Sequence, residues 1–111
     1  MEIGEKRQSG VSVLLPVGSI DNDTSLDFQV KVLASLDVGL AALVDFSGVD
    51  FISSAGVAVL VKAAKEARAK NRRIVLAAPR PMVSEIFDIS RLSRIMAIYR
   101  TAEEGIAALQ G

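Results

Sequence analysis

The chain has no histidine and no cysteine among its 111 residues, and these two absences remove much of the chemistry a small protein could carry. Without histidine a Ser-His-Asp triad cannot be assembled. Without cysteine there is no disulfide framework, no thiolate zinc site and no thiol nucleophile. Tryptophan is also missing, and the aromatic residues are four Phe and one Tyr. A core must therefore be packed from Val, Leu, Ile and Ala, in a chain that is 50% hydrophobic. Neither sign of charge is in excess, since 13 Lys and Arg balance 13 Asp and Glu. That balance removes the basic surplus that marks nucleic-acid or anionic-membrane binders, so partners must be recognised by shape.

Long apolar runs are absent too. No stretch approaches the roughly 18 uninterrupted apolar residues of a membrane span, and the opening MEIGEKRQSG has no apolar centre of the kind a secretory signal needs. The expectation is a cytoplasmic protein without membrane insertion. Catalytic and nucleotide signatures are missing as well: no serine is followed three residues later by lysine, and G-x-S-x-G, G-x-x-x-x-G-K and G-x-G-x-x-G do not occur. Asp21, Asp23, Asp45 and Asp50 lack the dense alternation of a calcium loop, and turn or cap roles suit them better. No metal and no cofactor are expected.

What is present is regular alternation in a length suited to one compact domain, residues 1–111. EIGEKRQ and VSVLLPVG read as extended segments joined at Ser9-Gly10, with Val11, Val13 and Leu15 alternating before Pro16 limits the strand. Thr24 stands as N-cap of a first helix, with Asp27 three residues on and Leu26, Val30 and Leu33 at helical spacing. LAALVDF has the continuous apolar pattern of a strand covered on both faces. Val57, Leu60, Val61 and Ala64 then form the apolar face of the longest helix, running roughly from 55 to 70. RRIVLAAP is a further strand ended by Pro79, a short helix begins at Pro81, and IMAIY is a short strand. Thr101 and Glu104 have capping-box spacing at the start of a last helix. Strands are thus predicted near 11–17, 40–46, 73–78 and 95–99, in an α/β fold with a mixed sheet of four to five strands and about four packed helices.

Two small hydroxyls, Ser53 and Ser54, fall where a strand hands over to the longest helix. One reading is purely structural. A serine there accepts a hydrogen bond from an otherwise unpaired N–H, and Gly56 permits close packing of the first turn. On that reading Ser54→Ala puts a cap worth about 1 kcal/mol at risk, and Ser53→Ala matters less.

The other reading comes from a resemblance. DFSGVDFISSAGVAVL is similar to the signature of the STAS family, the domain of sulphate transporters and bacterial anti-sigma factor antagonists. Upstream, VGSID resembles that family's glycine-to-aspartate turn before the first helix. Downstream, EIFDISRLSRIMAIY resembles its late helix and following strand. The resemblance implies the same small mixed sheet flanked by helices. In stand-alone antagonists of the family, a serine just before the signature glycine is phosphorylated by a kinase that is also the anti-sigma factor. Matching FISSAG to that pattern places the phosphorylated serine at Ser54. Ser53 stands where the family usually has aspartate, Ala55 replaces a second hydroxyl residue, and Ser19 replaces a common acid in VGSID while Asp21 is kept.

The resemblance thus implies a non-enzymatic anti-sigma factor antagonist that works by partner switching. Asp21, Asn22, Asp23 and Thr24 would form a partner loop, with Ser53, Gly56 and Val57 as adjoining surface. The implied partner is an anti-sigma factor with serine kinase activity, which would bring its own ATP. A phosphatase and weak self-association complete the expected partners. Two other readings stay open: a STAS scaffold subunit of a stress-signalling or lipid-transport complex, using the same surface without phosphate, and an enzyme, for which the sequence offers no organised acid, base and nucleophile.

Overall fold

A computed structural model describes residues 1–110. Ser9 and Gly10 take φ of 54° and 80°, the left-handed pair that closes a two-residue hairpin between β1 (Glu2–Gln8) and β2 (Val11–Ile20). The register runs from Gln8 opposite Val11 to Glu2 opposite Val17. β1 is exposed along almost its whole length and carries Glu2, Glu5, Lys6 and Arg7. From β2 onward every strand pairing is parallel. Helix α1 (Ser25–Val38) leads to β3 (Ala41–Asp45), a tight turn leads to β4 (Val49–Ile52), and α2 (Ser54–Ala69) leads to β5 (Arg73–Ala77). Then come α3 (Pro81–Ile89), one 3-10 turn (Leu92–Arg94), β6 (Ile98–Tyr99) and α4 (Ala102–Gln110). The strand order is β1-β2-β3-β5-β6, and β4 pairs with β2.

The continuous apolar runs follow from burial on both faces of this sheet. Ala42 and Val44 of β3, with Ile74 and Leu76 of β5, face the larger core with Phe28, Val32, Leu60, Ala63, Val83 and Phe87 of α1, α2 and α3. Their neighbours Leu43, Val75 and Ala77 face the other way, toward Ile106 of α4. Phe46 sits between Phe28 and Phe87, edge-on to each at ring separations of 6.3 and 5.2 Å.

Four expectations need correction. The sheet has six strands, because the four residues of β4, buried only at Val49 and Ile52, form a strand of their own. The last predicted strand shrinks to Ile98–Tyr99, since the N–H groups of Ile95 and Met96 bond back to the Leu92 carbonyl at the end of the 3-10 turn and are not free to extend. Pro16 does not end β2: the strand continues to Ile20, and Pro16 falls after the last β3 pairing at Leu14 and before the first β4 pairing at Gly18. Its missing N–H therefore costs neither ladder a hydrogen bond. Finally, α1 buries Phe28, Val32 and Leu36, leaving Leu26 and Val30 exposed at 67% and 60%. Two apolar rows compete on that helix, and the one holding the phenylalanine, with its contact to Phe46, takes the core.

Candidate partner-binding site at the start of α2

β2 and β4 finish side by side, with Ser19 opposite Phe51 and Ile20 opposite Ile52. The register shifts between Gly18 and Ser19. Gly18 takes a φ of 100°, which a residue with a side chain rarely adopts, and it stands at the irregularity where Asp50 of β4 is left without a partner in the ladder. Beyond the pair, the Ser53 N–H donates to the Ile20 carbonyl at 2.8 Å, tying the start of α2 to the end of β2. Gly56 makes the joint close. A Cβ there would sit 2.6 Å from Ile52 Cγ1 and 2.7 Å from Ile20 Cγ2. Gly56 is consequently buried; it seats the helix and offers no contact surface of its own. Val57 is half-buried beside it.

The two serines divide the work in the opposite way from the capping expectation. Ser53 is the N-cap, with extended backbone (φ −87°, ψ 174°), and its hydroxyl accepts the Gly56 N–H at 3.4 Å. Ser54 is the first residue inside the helix and is exposed. An aspartate, serine, threonine or asparagine at the position of Ser53 would all accept that bond, which is why Ser53 can stand where the family usually has aspartate.

The turn from β2 into α1 lies at the same end of the sheet. Asp21 organises it: one carboxylate oxygen accepts the N–H groups of Asp23 (2.9 Å) and Thr24 (3.2 Å), and its carbonyl accepts that of Ser25 (2.8 Å). Thr24 occupies the N-cap position without capping α1. Its hydroxyl instead accepts the Asp21 N–H at 2.9 Å and donates to the Ser19 carbonyl at 2.8 Å, so the turn is bolted back onto the strand. Asn22 and Asp23 are exposed at the tip. The structure therefore gathers the proposed loop and the serine pair at one edge, joined through the paired ends Ile20 and Ile52.

Asp45 and Asp50 have structural partners. Asp45 accepts the Ser47 N–H at 2.9 Å within the β3–β4 turn. Asp50 pairs with Arg80 at 2.6 Å, while Arg80 Nε donates to the Ser47 carbonyl at 2.7 Å. The sequence reading missed this Arg80 clamp, which joins positions 30 and 33 residues apart and leaves no local signal. It also missed the exposed apolar groups at this end, Leu26 on the first turn of α1 and Phe51 on β4, 41% exposed. The competing row Leu26/Val30 was visible in the sequence but was assigned to the core.

Fold and site together define a class: mixed-sheet α/β domains whose second helix starts on hydroxyl residues, held by a glycine against a parallel strand pair. The chain belongs to the STAS domain family, whose match spans residues 3–105. It is similar to BtrV of Bordetella bronchiseptica, a protein assigned as an anti-sigma factor antagonist, with 27% identity covering 99% of this chain and 96% of BtrV. Among solved structures, an anti-sigma factor antagonist from Mycobacterium paratuberculosis superposes with a TM-score of 0.91 at 22% identity, covering 99% of this chain and 94% of that one. The anti-sigma factor antagonist SpoIIAA in its unphosphorylated form superposes at 0.81 with 23% identity, covering 99% and 97% of the two chains. The phosphorylated form of Bacillus SpoIIAA gives 0.71 at 21% identity, covering 96% and 98%.

Proposed function

We propose that this protein is an anti-sigma factor antagonist, without catalytic activity of its own, that binds an anti-sigma factor with serine kinase activity and is released when that kinase phosphorylates Ser54. The supporting observation is the division of labour between the serines. Ser53 supplies the cap, and Ser54, exposed one position further on, is free to change chemically without removing a contact of the fold. The likeness to BtrV and the existence of SpoIIAA in both phosphorylation states support the same reading.

A helix N-terminus accommodates added negative charge, because first-turn N–H groups lack intrahelical acceptors and carry partial positive charge. Phosphate at Ser54 adds roughly −1.5 to −2 charges where a partner must desolvate the surface. The Asp21–Thr24 turn, Val57 and exposed Leu26 would complete that surface. A penalty of about 3 kcal/mol weakens a complex roughly hundredfold, enough to exchange one partner for another. A phosphatase would restore the binding form.

The test combines mass spectrometry with calorimetry. Incubation with the cognate kinase and ATP should place phosphate on Ser54, and Ser54→Asp should bind the kinase about a hundredfold more weakly than wild type. Phosphate on Ser53 or Thr24 would refute the residue assignment. A pull-down of native partners that recovers transporter subunits and no serine kinase would establish the scaffold role in its place.

A further inference from the structure

The opposite end of α2 has a different chemistry. Two adjoining hollows of about 340 and 220 Å³ share Ala64, Arg68 and Ile95, and run between α2, the start of β5 and the segment after the 3-10 turn. Five cations line them: Lys65, Arg68, Arg72, Arg73 and Arg94. No carboxylate among the described residues does. The acids nearest this end, Asp37 and Glu66, both face Lys70, at 2.7 and 4.0 Å. The floor is apolar, with Ile74 and Met96 buried and Ile95 39% exposed. In a chain of zero net charge, this clustering leaves a local excess of positive charge: none of the five cations is in an ion pair among the described residues, and only Arg72 feels the Asp37 carboxylate, at longer range.

A second, independent observation concerns Arg72. Its Nε is buried and has no hydrogen-bond acceptor among the described residues. Such a donor is destabilising until an acceptor is supplied.

We propose that this groove docks an acidic, partly apolar segment of a partner protein, making a second binding face separate from the serine end. Arg68 lies fourteen residues beyond Ser54 in one helix, roughly 21 Å away along its axis. Four of the five cations are arginines, whose planar forks bind carboxylates in pairs of hydrogen bonds. The apolar floor offers a seat for one or two aliphatic side chains between the acids. No aromatic residue lines the groove to stack a nucleic-acid base. Ile95 is the only exposed large apolar side chain in it, too little for a membrane surface.

The experiment measures fluorescence anisotropy of a labelled peptide of alternating glutamate and leucine, titrated with the full chain at one low salt concentration. The comparison probes are its glutamine counterpart, oligothymidylate and phosphatidylserine vesicles. The expected result is saturable one-to-one binding of the glutamate peptide, weakened about tenfold or more by Arg68→Glu with Arg94→Glu. Ser54→Asp should leave it unchanged, which separates this face from the serine switch. Both arginines are exposed, and circular dichroism checks that the variant is folded; Arg68→Gln with Arg94→Gln repeats the measurement should the charge reversal unfold it. Absent binding, equal binding of the glutamine peptide, tighter binding of oligothymidylate or vesicles, or full affinity in the folded double variants would overturn the proposal.

Discussion

The two ends of α2 solve different problems. At the start, small residues hold fixed geometry: Ser53 caps, Gly56 lets Ile20 and Ile52 close beneath the helix, and the Asp21 turn is bolted to Ser19. At the finish, long cationic side chains line an open groove and carry little of the fold. A position can be chemically altered without unfolding when its neighbours, and not the position itself, make the structural contacts. The start of α2 meets that condition through one exposed serine beside a capping serine. The far end meets it through length and flexibility.

The largest test of this contrast is Gly56→Val. Overpacking against Ile20 and Ile52 should cost about 3 kcal/mol in urea unfolding, whereas Arg68→Val, which also places a valine on α2 but at an exposed position, should stay within about 0.5 kcal/mol. Equal losses would abolish the distinction. Asp21→Ala comes next: losing the acceptor for two turn N–H groups should lower stability by about 1–2 kcal/mol. If the turn also serves the partner, affinity measured on the folded fraction should fall as well, at a salt concentration held constant because exposed charges are screened.

Within the serine pair the expected order is the reverse of the one the sequence suggested. Ser53→Ala should cost about 0.5–1 kcal/mol, at the low end for a cap because the bond to Gly56 is long at 3.4 Å. Ser54→Ala should cost less, which a matched pair of denaturation curves will show.

The smallest effect belongs to the far end. The Lys70 ammonium donates to Asp37 and holds its carboxyl below the usual aspartate range, and Asp37 in turn raises Lys70. Both side chains are exposed, so the pair adds little. Its sign is still defined. A depressed carboxylate contributes stability above its unfolded pKa and loses it as pH falls through the folded pKa. Asp37→Asn should therefore differ slightly from wild type at neutral pH, and the two melting temperatures should converge in acid.

How much was readable in advance depends on whether the signal was local. β3 and β5 announced themselves because burial on both faces makes an uninterrupted apolar run, and Ser9-Gly10, Pro81 and Thr101 are local signals the fold uses as expected. The Thr101 hydroxyl does accept the Glu104 N–H, at 3.1 Å. β4 was hidden because its two central residues are exposed and its partner is β2, far back in the chain. Pro16 misled because its tolerance depends on where two neighbouring strands begin and end. The serine end was located by motif, yet which hydroxyl caps, and that Thr24 turns back toward Ser19, depends on backbone angles that residue type does not encode.

The outer strands have one more consequence. β1, at one end of the strand order, is charged at Glu2, Glu5, Lys6 and Arg7, and β6, at the other end, is two residues long. Unsatisfied backbone at a sheet margin invites a second copy to pair there, and charge or brevity removes the invitation. Here one margin is charged and the other has almost no length, so the strand path offers no ready seam for polymerisation, and crowding many copies together should not convert the fold into a fibre template.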